Sequence, residues 1–220
     1  MQRLDLVIAA GIVGLATWAV VAQLGSDPVG MAAQAPLPKK LELGEAIEDQ
    51  DVRGFDGKTY KLHALMGTKA TVFYSWSTNC KCVADVDLRL DPLIVAWKPK
   101  GVAFIAVDGD AKDTAEIARA RMIATLPRYA LVLDPAQRLC AQLGFKEAVH
   151  FVVTDADGYL RYRGTFDDSL KKPTVAYLPS AIEDVMAGRP LEHPQRVVLD
   201  YGCPFGQPGK DCEPDPVGKP

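Results

Sequence analysis

The sequence has no excess of basic residues. Lysine and arginine number 25 against 28 aspartates and glutamates, which gives a formal net charge of −3. Binding to DNA or RNA relies on a positively charged surface, so we predict no nucleic acid partner. The acidic excess is too small to indicate disorder, and a hydrophobic share of 48% is typical of a globular chain. No internal repeat is visible, and 220 residues leave room for one domain of ordinary size.

Long apolar runs are also missing, apart from one near the N-terminus at residues 6–22. A bilayer requires about 17 to 20 apolar residues, so this run is either a membrane anchor or a signal peptide. We predict an uncleaved anchor within residues 1–24 that enters the membrane through residues 6–22. Because Arg3 precedes the run, the positive-inside rule places Arg3 in the cytoplasm and the chain after the run outside. We therefore predict a single-pass protein of a bacterial inner membrane whose domain faces the periplasm. The alternative is secretion to the periplasm after signal cleavage, for which residues 33–35 offer an A-x-A pattern.

Predicted strands and helices alternate along the rest of the chain. Residues 25–40 have the composition of a linker. We then expect a hairpin around Asp56-Gly57, strand 70–74, helix 85–97, strand 101–107, helix 113–123 capped by Asp113, strand 129–133, helix 135–143, hairpin 149–163 and helix 178–187. This order predicts an α/β fold with a mixed central sheet flanked by helices. The domain spans residues 41–192, and residues 193–220 form a C-terminal tail with Cys203 and Cys212.

Two cysteines lie at a predicted strand-to-helix turn. Cys80 and Cys82 follow the apolar strand and directly precede the helical segment, with Lys81 between them. A thiol at a helix N-terminus feels the positive end of the helix dipole, which favours the reactive thiolate, and Lys81 adds positive charge. Trp76 stands just before the turn, where an aromatic side chain either packs in the core or shields the thiolate. The turn therefore indicates redox or metal chemistry.

The chain has five cysteines, an odd number. In an oxidising compartment disulfides form and persist, so one thiol should be left over. We expect this to be Cys140, which packs in a short helix. A Cys80–Cys82 bond would close a small ring, and a Cys203–Cys212 bond would be structural. A Cys80–Cys203 bond would instead bring the tail over the turn as a resolving arm, and Gly202 and Pro204 around Cys203 favour such a defined turn.

Four motifs carry a resemblance to a known family: Phe55-Asp56-Gly57-Lys58, Ser75-Trp76-Ser77-Thr78-Asn79-Cys80, Val153-Thr154-Asp155-Ala156-Asp157-Gly158 and Gly202-Cys203-Pro204-Phe205. Over residues 42–207 the chain resembles thioredoxin-like redoxins related to TlpA-type periplasmic reductases and alkyl-hydroperoxide reductases. The last motif resembles the C-terminal signature of exported redoxin-domain proteins. The resemblance implies a thioredoxin-like fold, with Cys80 as the nucleophile and no cofactor.

The chain also departs from that family. Val83 stands where the second cysteine of a C-x-x-C motif would fall, because Cys82 comes one residue early. Val149 stands where the family has a cis-proline opposite the thiols, so we expect a trans or reshaped loop there. His150 follows directly, and the resemblance places it near the cysteines. The peroxidase pattern P-x-x-x-T-x-x-C is not met either, which makes peroxidase activity the less favoured interpretation.

We therefore predict a membrane-anchored periplasmic thiol–disulfide oxidoreductase that acts through Cys80, with Cys82 or Cys203 as the resolving partner. Its partners would be a protein thiol or disulfide substrate and a second redox protein. Trp76, Lys81, Val149 and His150 would support the site, His150 as a base or by stabilising a thiolate.

Two alternatives stay open. Three thiolates and an imidazole, from Cys80, Cys82, Cys203 and His150, would suit delivery or binding of copper or zinc. The third interpretation is a non-catalytic accessory subunit of a membrane complex.

Overall fold

The computed structural model describes residues 36–198 and 201–206. The predicted membrane anchor, most of the linker and Cys212 lie outside these residues. Within the described ranges, no helix combines the length and apolar character that a bilayer crossing requires.

The strands are β1 (Asp51–Gly54), β2 (Thr59–Lys61), β3 (Ala70–Trp76), β4 (Val102–Asp108), β5 (Ala130–Leu133), β6 (Phe151–Asp155), β7 (Leu160–Gly164) and β8 (Gln195–Arg196). The helices are α1 (Leu62–Leu65), α2 (Cys82–Trp97), α3 (Ala115–Thr125), α4 (Arg138–Leu143) and α5 (Tyr177–Met186), with a 3₁₀ turn at Lys98–Lys100.

One eight-stranded sheet runs in the order β2-β1-β5-β4-β3-β6-β7-β8. Strand β3 pairs parallel to β4 and antiparallel to β6, so the sheet is mixed as predicted. All seven residues of β3 are buried, because helices cover both faces of the sheet around it. The apolar run before the cysteine turn is therefore the central strand of the domain.

The side chains of β3 belong alternately to two hydrophobic clusters in the interior. Successive side chains of a strand point to opposite faces. Val72, Tyr74 and Trp76 join the cluster that includes residues of α2, α3 and α5. Phe73 joins the other cluster, which includes residues of α4. Trp76 is thus a core residue of the face that carries the cysteine turn.

Three helix starts differ from the sequence prediction by two or three residues. Helix α2 begins at Cys82, three residues before the predicted start, so Cys82 belongs to the helix itself. Helix α3 is capped by Thr114, whose hydroxyl accepts from the Ile117 N–H, and the prediction of Asp113 as its cap is wrong. Helix α4 begins at Arg138, because the Asp134 carboxylate accepts the backbone N–H groups of Arg138 and Cys140 at 2.9 and 2.7 Å.

Part of the chain that the sequence assigned to a tail joins the domain. Strand β8 extends the sheet by pairing parallel to β7. Further along, Tyr201–Gly206, here called the C-terminal segment, lies against Lys146–Val149, here called the receiving loop. The two backbones make an antiparallel bridge between Glu147 and Pro204. The domain therefore includes residues beyond 192.

Candidate active site

The cysteine turn, Ser77–Cys82, is positioned by the elements on either side of it. Strand β3 ends at Trp76 and helix α2 starts at Cys82, so five residues connect a buried strand to a helix N-terminus. Cys80 and Cys82 are only 3% and 2% exposed. Lys81 between them is exposed, so its charge lies at the surface above the thiols.

Two aspartates from the loop after β4 hold this turn in place. The Asp110 carboxylate accepts from the Ser77 hydroxyl at 2.9 Å and from the Asn79 side-chain amide at 3.3 Å. The Asp113 carboxylate accepts the Thr78 backbone N–H at 2.6 Å, the Thr78 hydroxyl, and the Asn79 amide at 3.0 Å. Burial of the carboxylate by itself raises the pKa of Asp110, but hydrogen bonds from the Lys112 N–H, the Ser77 hydroxyl, the Gly206 N–H and the Asn79 amide bring the pKa below its usual value.

Sequence reasoning missed this role. Asp113 was interpreted as a local helix cap, whereas the partners of Asp110 and Asp113 in the turn lie 31 to 35 positions away along the chain. The proximity of the two loops could have been inferred from the order of the strands in the sheet. Strands β3 and β4 are parallel neighbours, so the loops at their carboxyl ends meet at one edge of the sheet.

Cys80 forms a disulfide with Cys203, 123 positions along the chain, with their Cα atoms 5.5 Å apart. This is the pairing in which the tail returns to the turn, and its formation excludes the Cys80–Cys82 and Cys203–Cys212 pairings in this structure. Cys140 is free and buried, as expected for the cysteine left over. Burial raises the pKa of its thiol, and the nearby Asp134 adds to the increase.

Cys82 completes a cluster of three sulfur atoms. Its Sγ lies 4.0 Å from the Cys203 Sγ. The sulfurs of Cys80, Cys82 and Cys203 all lie within 4.8 Å of one another, and all three residues are buried. The structure therefore brings together the three cysteines that the sequence assigned to the site.

The C-terminal segment covers this cluster through a set of backbone contacts. The Ala148 N–H donates to the Cys203 carbonyl at 2.9 Å, and the Phe205 N–H donates to the Lys146 carbonyl at 3.2 Å. The Gly206 N–H donates to Asp110 Oδ1 at 3.1 Å. Asp110 therefore contacts both the cysteine turn and the segment that closes over it.

A further side-chain contact fixes the start of the segment. The Tyr201 hydroxyl donates to Asp167 Oδ1 at 2.5 Å. The same carboxylate forms an ion pair with Arg89 of α2, whose guanidinium also lies 4.6 Å from the centre of the Phe166 ring. Tyr201 is 2% exposed, so this contact is part of the core.

Val149 in the receiving loop has an unusual backbone conformation. Its φ is 66°, in the left-handed region that a β-branched residue rarely adopts, and no cis peptide bond occurs among the described residues. The Val149 N–H donates to the Ser75 carbonyl at 2.7 Å, which holds this conformation against the end of β3. The loop is therefore trans, and its shape differs from a cis-proline turn.

His150 does not join the sulfur cluster. The structure places Cys80, Cys82 and Cys203 within metal-ligand reach of one another without including His150. Its ring lies beside Tyr201, with 6.5 Å between centroids, and its Nε2 is 3.4 Å from Glu147 Oε1. Burial lowers the pKa of His150 to about 4, so the imidazole is neutral at neutral pH and supplies no positive charge to a thiolate.

Asp108 lies beneath the acidic loop at the end of β4. Its Oδ1 accepts the Asp110 N–H at 3.1 Å, and the residue is 3% exposed. Burial raises the pKa of Asp108 to about 8, and the neighbouring charge of Asp113 adds to the increase. This carboxyl is protonated over a wide pH range.

No family model matches the chain. No curated protein matches it either.

Solved structures do match it. An uncharacterized conserved protein from Geobacillus kaustophilus is 21% identical with a TM-score of 0.67, and the match covers 79% of this chain and 98% of that one. A hypothetical protein from Sinorhizobium meliloti 1021 is 20% identical with a TM-score of 0.65, covering 76% and 96%. A putative thioredoxin from Neisseria meningitidis is 16% identical with a TM-score of 0.55, covering 66% and 92%. At these identities the likeness establishes the fold, and it confirms the predicted thioredoxin-like architecture.

Proposed function

We propose that the protein is a thiol–disulfide oxidoreductase that acts through Cys80, related to the TlpA-type periplasmic reductases. The observation that carries the proposal is the buried three-sulfur cluster, in which Cys80 is bonded to Cys203 and the Cys82 sulfur lies 4.0 Å from that of Cys203. Thiol–disulfide exchange requires sulfur atoms close enough to attack one another. A purely structural disulfide needs no third cysteine beside it.

The reactive group would be the Cys80 thiolate. Cys80 lies two residues before the start of α2, a helix of 16 residues, so it stands at the positive end of the helix dipole. When the Cys80–Cys203 bond is reduced, the Cys80 thiolate attacks a disulfide sulfur of a partner and expels the other sulfur as a thiolate. The result is a mixed disulfide between Cys80 and the partner.

Resolution needs a second thiolate of this chain. Attack by Cys203 or Cys82 on the Cys80 sulfur releases the partner cysteine as a thiolate and leaves an intramolecular disulfide. In the complete cycle the partner disulfide gains two electrons and the protein dithiol loses two. A second redox protein would then reduce the Cys80–Cys203 bond, and the same steps run in reverse would oxidise a partner. No cofactor enters any of these steps.

We place this activity at the outer face of a bacterial inner membrane. The support is the uncharged run at residues 6–22 together with Arg3. A disulfide across 123 positions also suits an oxidising compartment. Carbonate extraction and protease treatment of spheroplasts test the location: an anchored periplasmic domain stays in the membrane fraction and is digested from outside. Release of a shortened chain into the soluble periplasmic fraction would instead favour signal cleavage.

Replacing Cys80 tests the activity. In the full-length protein we expect Cys80→Ser to abolish reduction of a protein disulfide, measured by trapping free thiols and determining the masses of the alkylated products. Cys140→Ala is the matched control, because that thiol is buried and apart from the sulfur cluster. Retained turnover in Cys80→Ser would reject the assignment.

A second candidate function is copper or zinc binding, favoured by the same cluster in its reduced form. Three sulfur ligands within 4.8 Å suit zinc or copper(I). His150 would not be the fourth ligand without a change of conformation. Adding zinc or copper(I) to the reduced full-length protein, with a chromophoric chelator as competitor, distinguishes this candidate.

Stoichiometric metal retention that Cys82→Ser removes, combined with no disulfide exchange, would favour the metal function. A protein that shows neither activity would fit the accessory-subunit alternative.

A further inference from the structure

The C-terminal segment binds the receiving loop much as a separate peptide would. Glu147 and Pro204 form an antiparallel bridge whose hydrogen bonds come from the residues on either side, the Ala148 N–H to Cys203 and the Phe205 N–H to Lys146. Glu147 and Pro204 are thus a non-hydrogen-bonded pair of an antiparallel ladder. A proline at position 204 costs no ladder hydrogen bond, since that position donates none.

Gly202, the residue before Cys203, has no room for a side chain. A Cβ at Gly202 would lie 1.9 Å from the Ala148 carbonyl oxygen and 2.9 Å from a Val149 methyl group. The clash is with backbone, which cannot move aside cheaply. Any chain that binds here in the same register therefore needs glycine directly before its cysteine.

The second residue after Cys203 is Phe205, and its side chain makes apolar contacts. Phe205 packs against both hydrophobic clusters of the domain. It also lies over Gly109, where an added Cβ would come within 2.9 Å of the Phe205 ring. The glycine at 109 leaves space that the Cys140 sulfur and the Phe205 ring fill. The next residue, Gly206, donates its N–H to Asp110.

We propose that the receiving loop, with Gly109 and Asp110, is a binding site for an extended protein segment of the pattern Gly-Cys-x-aromatic, and that the C-terminal segment occupies this site when Cys80–Cys203 is closed. The inference rests on the proposed oxidoreductase function and specifies its substrate. Backbone pairing supplies affinity in such strand addition, and pockets for individual side chains supply selectivity. The partner cysteine would take the position of Cys203, beside Cys80.

The chemistry of capture is a single exchange. The Cys80 thiolate attacks the sulfur of a partner cysteine that is already in a disulfide, a new Cys80–partner bond forms, and the former partner sulfur leaves as a thiolate. The electrons balance within this step, so no further oxidant is required.

The test uses a synthetic peptide with the sequence of residues 201–206, Tyr-Gly-Cys-Pro-Phe-Gly, whose cysteine carries a nitrothiobenzoate group. Capture by Cys80 releases the coloured nitrothiobenzoate thiolate, which gives the rate directly. The protein is the full-length Cys82→Ser/Cys203→Ser variant in mild detergent, reduced beforehand, so that no other thiol of the cluster resolves the mixed disulfide, and mass mapping confirms attachment at Cys80. The matched control peptide has the same composition with glycine and phenylalanine exchanged, Tyr-Phe-Cys-Pro-Gly-Gly.

We expect the parent peptide to react at least about tenfold faster than the control, since the control loses an aromatic contact and introduces a backbone clash. Single changes of the peptide glycine or phenylalanine to alanine should each slow capture by about tenfold. Changing the peptide proline to alanine should leave the rate unchanged. Equal rates for the parent peptide, the exchanged control and the two peptides with alanine in place of glycine or phenylalanine would overturn the inference.

A second protein variant and a small disulfide complete the test. Gly202→Ala in the Cys82→Ser/Cys203→Ser background should expel the protein's own segment and speed capture of the parent peptide, and a slower reaction would count against a shared site. The symmetric nitrothiobenzoate disulfide probes Cys80 without any peptide contact. If it reacts while the peptides are not distinguished, the inference fails and the proposed function stands. If neither the small disulfide nor any peptide reacts at Cys80, the proposed function itself fails.

Discussion

The cysteine turn and the C-terminal segment carry the two halves of one disulfide, but they are held in different ways. The turn is fixed between β3 and α2 and tied by side-chain hydrogen bonds to Asp110 and Asp113. The segment is held by a few backbone bonds, the Tyr201 contact to Asp167 and the disulfide itself. We therefore expect the attacking thiol to keep its place when the disulfide is reduced, whereas the position of its partner depends in part on the bond that the chemistry breaks.

Removal of the disulfide should produce the largest difference between the turn and the segment. We expect Cys203→Ser to lower the free energy of unfolding by about 4 to 5 kcal/mol, because the bond closes a loop across 123 positions of the unfolded chain. Hydrogen exchange should become faster in residues 201–206 through local opening of the segment, whereas exchange in β3 should rise only as far as the lower free energy of unfolding requires. Urea unfolding and exchange mass spectrometry measure both. Reductant should reproduce the effect in the wild type and add nothing in the variant, and unchanged exchange in the segment would contradict the comparison.

Asp110 joins the two regions, so its removal should loosen both. Asp110→Ala takes away the acceptor of Ser77, Asn79 and Gly206, and we expect a loss of about 2 kcal/mol of unfolding free energy. Asp113→Ala is the matched control, because its carboxylate accepts hydrogen bonds from Thr78 and Asn79 of the turn, whereas Gly206 of the segment donates to Asp110. Exchange in residues 201–206 should rise in the Asp110 variant alone. A rise in both variants would show that the turn and the segment are not independently held.

Asp108, which lies beneath both regions, should make the free energy of unfolding depend on pH. Its pKa is raised from 3.8 to about 8, mainly by burial, so the folded state holds a proton that the unfolded state has lost. Between these two values the contribution of Asp108 to the unfolding free energy falls as pH rises, and below pH 3.8 this contribution is constant. Asp108→Asn should flatten this decline, as measured by urea unfolding from pH 4 to pH 8. A slope equal to that of the wild type would disprove the assignment.

His150 should have the smallest effect on the exchange reaction. Its pKa is lowered to about 4 by burial, so it stays neutral from pH 5 to pH 8 and cannot pair with a thiolate as a cation. We expect His150→Asn to leave the shape of the pH–rate profile for Cys80 unchanged. Stopped-flow reaction with a small disulfide gives this profile, and loss of an inflection between pH 5 and pH 8 in the variant would restore the role that the sequence assigned to His150.

Local patterns predicted much of the fold. The apolar run at 70–74 became the central strand and the following segment became α2, because burial and periodicity are encoded in neighbouring residues. The positions of Cys80 and Cys82 beside a helix start follow from the same local reading. Asp113 was misassigned because a helix-capping role is local, while its real partners, Thr78 and Asn79, belong to the neighbouring strand's loop.

The rest of the site depends on contacts between distant parts of the chain. The choice among three cysteine pairings could not be made from spacing, since Cys203 had plausible partners on both sides. The placement of His150 was drawn from a resemblance, and the position of its ring depends on how Tyr201 and Glu147 pack around it. In the sequence Gly202 indicated only a turn. The need for glycine at this position comes from the Ala148 carbonyl, which lies against it in the folded chain.

The sequence by itself determined the alternating α/β architecture, the cysteine turn after a buried strand and the set of thiols available for exchange, because these depend on residue type and on short-range periodicity. Only the tertiary structure decided that Cys80 bonds Cys203 with Cys82 beside them, that Asp110 ties the turn to the C-terminal segment, and that His150 lies outside the sulfur cluster. The physical reason is that these are long-range contacts, set by how strands β3 and β4 and the receiving loop meet at one edge of the sheet.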